Sequence, residues 1–550
     1  MRSLKRNLLT GAIALAFSAP AAAQFTGACI FGDSLSDGGQ YGGRYTTNPG
    51  LTAAEYVNQG FGLTTTPSFQ GGGNDTLNQF TLYATGKISQ AQMQAAVGQA
   101  ALDLATAAGK LQAAGARYIV VQGMVNAGLA PEVTAFGAQV AAGVTSLSGL
   151  FNLTLGQAIA QGGLKVIPFN TFAFMNEIAA NPAAYGFVNV TSPACTTPTG
   201  NTCTSSTLVA PNANLTYMFA DGHHGATGVY LAFASLITSM ITGPEQIATL
   251  PQAPFAVEDA NFRALDGRMW SSLGAPRTQK KIEAWAAYDY SSSDLNAGTG
   301  NGSANTNTIA VGADTKLTDK LLFGGMFGYT ENKGDFNGAG GGYKLRQPVG
   351  TAYVGYGEGP WYVGATLGAG GLDYSDINRT IPLGTALRTE TGQTRGYEYT
   401  GRLLGGHWLK FQDVLHGPYA RVTYTKSVVR AFSETGSDST TLSYGAQDRE
   451  QLLWSLGWQV AGNIGNIRPF ARVTWEYDSM DQTPSVSASS VSLGGNYTIP
   501  GAKPDNSYAL FNVGASADFG GVTGFITGSG TAGRDDGNYW AITVGLRMPI

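Results

Sequence analysis

A serine hydroxyl attacks a carbonyl only when a neighbouring base removes its proton. Phe31-Gly32-Asp33-Ser34-Leu35-Ser36-Asp37 offers such a serine where a short apolar run ends. The chain has four histidines. His407 and His416 fall in the second half, which leaves His223 and His224 for the first, within Phe219-Ala220-Asp221-Gly222-His223-His224-Gly225. Asp221 and His224 are spaced Asp-x-x-His, so one short loop can present a base with the carboxylate that orients it, which favours His224 as the base. An exposed loop, or adventitious metal binding, is the plain alternative for a double histidine. Acyl transfer also requires donors around the developing oxyanion. Gly71-Gly72-Gly73-Asn74-Asp75 puts the Asn74 amide beside backbone that can be approached closely, although alone it reads as a glycine-rich turn.

These residues must be brought together by the elements around them. Ala28-Cys29-Ile30-Phe31, Arg117 to Gln122 and Leu164 to Phe169 read as short buried strands, with Cys29 a buried structural thiol. Between them, Gln90 to Ala114 is alanine-rich, with Met93, Val97, Leu104 and Leu111 near helical spacing, and Phe136 to Ala160 reads similarly. Such alternation predicts a parallel sheet covered by helices, with Ser34 at the carboxyl edge of its first strand.

The grammar changes after about Pro254. Phe255 to Trp270 reads as one helix with a mixed face. Twelve alternating segments follow, at 281–290, 306–315, 321–330, 350–357, 361–372, 396–408, 415–428, 450–461, 467–478, 506–516, 522–529 and 538–550. Short turns such as Glu358-Gly359-Pro360 alternate with long polar segments such as 331–349, 429–449 and 479–505. An up-and-down barrel in an outer membrane has this asymmetry, with both barrel ends in the periplasm. In the last segment Trp540, Ile542, Val544, Leu546, Met548 and Ile550 share one face, while Thr543, Gly545 and Arg547 share the other. Charged residues are only 12% of the chain and glycines number 77, which suits strands against lipid joined by tight turns. The net charge of −4, without long single-sign blocks, argues against a nucleic-acid partner.

Arg2, Lys5 and Arg6, then Leu8 to Phe17, then Pro20-Ala21-Ala22-Ala23 form the pattern of a secretory signal, residues 1–23. No later run of about twenty apolar residues is evident, so membrane spanning falls to strands. Cys195 and Cys203 lie close together in a Pro/Thr/Gly-rich loop, leaving open a small disulfide; no cysteine has the spacing of a zinc site.

Gly32-Asp33-Ser34-Leu35, Gly72-Gly73-Asn74-Asp75 and Asp221 to His224 together resemble the first, third and last blocks of the GDSL (SGNH) esterase and lipase family, in particular its outer-membrane autotransporter members. The resemblance implies a three-layer, flavodoxin-like α/β passenger over residues 24–243. It also implies Ser34 as nucleophile, His224 as base and then acid, Asp221 holding the imidazole, and an oxyanion hole shared by the Ser34 N–H and Asn74. Residues 255–550 resemble the translocator barrel of autotransporters. That implies a linker over 244–280 with a helix in the pore, a twelve-stranded antiparallel barrel over 281–550, contact with outer-membrane lipid and handling by the barrel-assembly machinery. The substrate implied is an acyl ester or lipid, with no metal or organic cofactor. Three departures stand out. Ser34 and Asn74 are closer together than in that family, so a second block with an oxyanion glycine has no separate copy, and Gln70-Gly71-Gly72 could be its remnant. Gly225 stands where proline is usual, and the chain ends Met548-Pro549-Ile550 without an aromatic. The first departure sets the alternative: a catalytically silent passenger for adhesion or display.

Overall fold

The computed structural model describes residues 25, 27–40, 42–63, 65–67, 73–272, 282–296, 301–336, 340–534 and 537–550. The signal pattern of residues 1–23, and Gln70 to Gly72, lie outside them. Helices are set by local signals: Ser89 caps the helix Gln90–Ala113 through a box with Gln92. Its buried stripe of Met93, Val97, Ala101 and Ala105 packs with Val144, Leu147, Phe151 and Leu155 of the helix Ala138–Gln161 in one core.

Six short strands, β1 (Ala28–Ile30), β2 (Thr65–Pro67), β3 (Val120–Gln122), β4 (Ile167–Phe169), β5 (Asn189–Pro193) and β6 (Tyr217–Phe219), alternate with these helices. All their pairings are parallel, in three separate two-stranded pieces: β1 with β2, β3 with β4, and β5 with β6. β4 is fully buried, but β1 is not. Cys29 is exposed, which corrects its expected burial. An apolar run reads as interior only if something covers it, and in β1 the Cys29 side chain is left exposed. Cys195 and Cys203 are bridged by a disulfide.

Among the described residues, twelve antiparallel strands close into a barrel, the last, Tyr539–Pro549, pairing with the first, Ile282–Asn296. Period-2 alternation points Trp540, Ile542, Val544 and Leu546 outward, while Thr543 and Arg547 are buried in the lumen. The strands run longer than the sequence predicts at one end. Segment 331–349 is not a loop: Leu321–Asp335 and Gly341–Glu358 continue as one tall hairpin. Segments 429–449 and 479–505 contribute to a second, four-stranded sheet of Phe432–Ser433, Leu442–Tyr444, Ser485–Ser490 and Gly494–Pro500 above the barrel. The two-residue alternation that sets the lumen face continues along the extended strands Leu321–Asp335 and Gly341–Glu358 without a sequence break.

The helix Thr227–Ile247 leads from the passenger, and the helix Ala253–Trp270 runs down the barrel lumen. The helical stretch Thr227–Trp270 is long and apolar enough to cross a membrane, which the sequence reading did not anticipate; most of its apolar window is buried inside the protein. Arg263 makes a two-pronged ion pair with Asp289, at 2.9 and 2.7 Å. Arg268 reaches Asp314 and Glu283, each at 2.6 Å, and Asp266 pairs with Arg402 and Arg472. Trp270 stacks on Phe470 with ring centroids 4.4 Å apart. Charges paired in this way hold the helix in register with the wall.

Candidate active site

Ser34 opens a 3-10 turn, Ser34–Ser36, immediately past the end of β1. Asp33 caps the turn by accepting the Leu35 N–H at 3.0 Å. Gly32 is required by space: a Cβ there would come within 2.5 Å of the Ser36 Oγ. The other half of the site sits just past β6. Asp221 Oδ1 accepts the backbone N–H groups of His223 and His224, at 2.9 and 2.7 Å, so the loop folds around its own carboxylate. Asp221 Oδ2 lies 2.7 Å from His224 Nδ1, and His224 Nε2 lies 2.9 Å from Ser34 Oγ.

Asp221 and His224 are both buried. Burial alone pushes the Asp221 carboxyl up, but the His224 hydrogen bond and charge and the two backbone N–H groups outweigh it and hold the group down at about 2. Ionised Asp221 therefore takes the Nδ1 proton as its partner and leaves the Nε2 lone pair to accept from Ser34 Oγ. The arrangement can move a proton from hydroxyl to imidazole while stabilising the imidazolium that results.

Residues outside the sequence prediction complete the site. The Gly200 N–H donates to Asp221 Oδ2 at 2.5 Å, and Gly200 lies in the loop closed by Cys195 and Cys203. The Tyr45 ring lies 4.8 Å from the His224 ring, and its carbonyl accepts from Tyr230 at 3.1 Å. Thr46 Oγ1 donates to the Gly225 carbonyl at 3.0 Å. The closely placed cysteines were a signal for the Gly200 loop; nothing in the spacing pointed to Tyr45. The ring of His223 lies 3.9 Å from that of His224, and its Nδ1 is 3.0 Å from Glu132 Oε2. Burial depresses the His223 imidazole, yet Glu132 beside it raises it overall. Asp221, His223 and His224 are the group of metal-ligand side chains found among the described residues, but both nitrogens of His224 already face Asp221 and Ser34.

A cavity of about 50 Å³ opens at Ser34 and His224, lined on its apolar side by Leu77, Met124, Val125 and Met175. Of the two expected oxyanion donors, the Ser34 N–H opens the 3-10 turn. Asn74 lies in the first turn of the helix Gly73–Ala84, and its side chain lies outside the described residues.

Residues 284–529 match the family model for the autotransporter beta-domain. The barrel is thus similar to autotransporter β-domains over residues 284–529. This similarity places the barrel in an outer membrane, with the α/β half at the cell surface. The chain is 25% identical over 371 residues to Lipase 1 of Photorhabdus luminescens, matching 66% of this chain and 54% of that protein. It is 28% identical over 419 residues to Esterase EstA of Pseudomonas aeruginosa, matching 73% of this chain and 64% of that protein. The chain thus spans somewhat over half the length of these curated relatives. Among solved structures, the translocator domain of autotransporter NalP from Neisseria meningitidis aligns with a TM-score of 0.44 at 16% identity, covering 55% of this chain and 100% of that one.

Proposed function

We propose that this chain is a cell-surface carboxylic ester hydrolase of the GDSL (SGNH) type, exported and anchored by its own autotransporter barrel. The observation that carries the reading is the 2.9 Å contact between Ser34 Oγ and His224 Nε2, two residues 190 positions apart, with Asp221 on the far side of the imidazole. Chance seldom assembles a hydroxyl, a base and an orienting carboxylate in that order. His224 takes the Ser34 proton as Oγ attacks an acyl ester, then returns it to the departing alcohol oxygen. The Ser34 N–H and the Asn74 amide hold the oxyanion. Water, deprotonated by the same imidazole, releases the acid and restores Ser34. The cavity wall of Met124, Val125 and Met175 suits an acyl chain.

On this reading residues 1–23 are an export signal, 24–243 the passenger, 244–280 a linker with the pore helix and 281–550 the barrel, inserted by the assembly machinery. The shortened interval between Ser34 and Asn74 favours a second reading, a silent passenger displayed on the same barrel. Whole cells given a short-chain nitrophenyl ester separate the two. Hydrolysis that falls by about three orders of magnitude or more in Ser34→Ala supports the enzyme; equal hydrolysis in wild type and variant removes it.

A further inference from the structure

The four-stranded sheet above the barrel does not stand free of the passenger. Val486, Ala488, Tyr497 and Ile499 from its hairpin share one buried core with Phe151, Leu155, Ile167 and Phe169. Tyr497 donates to the Met240 carbonyl at 2.8 Å. Backbone of the hairpin approaches β4 so closely that a Cβ on Gly495 would fall 2.7 Å from Pro168 Cγ.

The hairpin tip, Val491 to Leu493, reaches further. Asn170, which caps the helix Thr171–Ala180 through Ala173 at 2.9 Å, turns its amide to the Ser492 carbonyl and hydroxyl at 3.3 and 3.2 Å. Leu493 lies in a slot left by two glycines. A Cβ on Gly156 would sit 2.9 Å from the Leu493 carbonyl oxygen, and one on Gly123 would sit 3.4 Å from Leu493 Cδ2. Gly123 begins the stretch that becomes the cavity wall. Asn152 holds the next residue, Met124, by both backbone groups, at 2.7 and 2.9 Å, and Thr171 Oγ1 holds the Gly123 carbonyl at 2.5 Å. Met124 and Val125 then face Ser34 across the cavity.

We propose that Ser492 and Leu493, on an extracellular loop of the barrel, are positioning residues for the acyl wall of the Ser34 cavity, so that the barrel completes the active site of its own passenger. The inference rests on the ester-hydrolase reading. A groove wall displaced by a fraction of an ångström changes how a long acyl chain fits far more than a short one, because only the long chain spans the wall. A defect that merely unfolded some molecules would lower activity on all esters alike.

The test uses the full chain in outer membranes and the ratio of kcat/KM for a long-acyl to a short-acyl nitrophenyl ester. Leu493→Ala is expected to shift that ratio by about tenfold, and Leu493→Met to restore it. Gly156→Ala approaches the contact from the passenger side: it favours the helix intrinsically yet crowds the Leu493 carbonyl, and is expected to shift the ratio as well. An equal fall for both esters, or no change in any variant, overturns the proposal. A readout independent of hydrolysis is the bridging of Asn170→Cys to Ser492→Cys, in a Cys29→Ser background, by a short thiol cross-linker. Cross-linking is expected. Its absence overturns the docking even if the enzyme is active, whereas cross-linking in a chain without esterase activity removes the ester-hydrolase reading instead.

Discussion

The barrel closes every strand edge against another, from Ile282–Asn296 round to Tyr539–Pro549, whereas the passenger holds its parallel strands in three separate pairs. The barrel's backbone groups are satisfied within one continuous ladder, as a lipid surround demands. The passenger's short pairs depend on what is laid over them. β4 is covered by helices and by the hairpin from the barrel, and is wholly buried; β1, which delivers Ser34, leaves Cys29 exposed. One half of the molecule is therefore self-sufficient in pairing, and the other borrows cover from it. The Ser34–His224–Asp221 geometry persists at the edge of the less protected half because a set of local bonds, Asp33 on Leu35 and Asp221 on two backbone N–H groups, fixes each partner separately.

That contrast can be broken at several places. The largest effect is expected from His224→Ala, which leaves Ser34 without a base: ester hydrolysis should fall by roughly 10³-fold or more while barrel folding, read as heat-modifiable gel mobility, is unchanged. Asp221→Asn should cost roughly 10²- to 10⁴-fold in kcat, through the wrong imidazole tautomer. It also carries a pH signature. Asp221 is depressed to about 2 in the folded chain, so its stabilisation is complete above the unfolded value near 4 and is lost as pH falls through 2. Thermal melts should show Asp221→Asn less stable than wild type by about 2 kcal/mol at pH 7, with the gap shrinking below pH 4.

Within the barrel, Asp266→Ala strips the shared carboxylate from Arg402 and Arg472. The expected loss is about 3–5 kcal/mol of folded stability, seen as a lower gel-shift temperature, with passenger chemistry much less affected. Replacing Cys195 and Cys203 by serine frees the loop that carries Gly200 to Asp221 and should destabilise the passenger by roughly 2–3 kcal/mol, measurable as a lower melting midpoint. The smallest effect tests exposure of the first strand. Cys29 should react promptly with an impermeant maleimide on intact cells with little change in hydrolysis; a thiol shielded until denaturation would show that the β1–β2 pair is covered after all.

Much of the barrel was legible because its rule is local. Two-residue alternation, as in Trp540, Ile542 and Val544 against Thr543, needs no partner to be recognised. The sheet above it was not legible, since Leu442–Tyr444 and Ser485–Ser490 are short, polar and defined only by each other. For the same reason segment 331–349 read as loop although it pairs throughout most of its length. In the site, residue type and spacing singled out Ser34, Asp221 and His224 as candidates, and the family resemblance implied their roles. Gly200 and Tyr45 could not, because backbone donation and ring contact depend on chain segments far away in sequence. Cys29 misled for a related reason: apolar character reports what a residue tolerates, and only the fold decides whether it is covered.

Activation of Ser34 can be read by labelling with a fluorophosphonate on isolated outer membranes. Covalent labelling of the full chain, abolished in Ser34→Ala and lost with His224→Ala, is the predicted result. Labelling that persists in Ser34→Ala, or a wild-type chain that remains unlabelled while its barrel is folded, would contradict it.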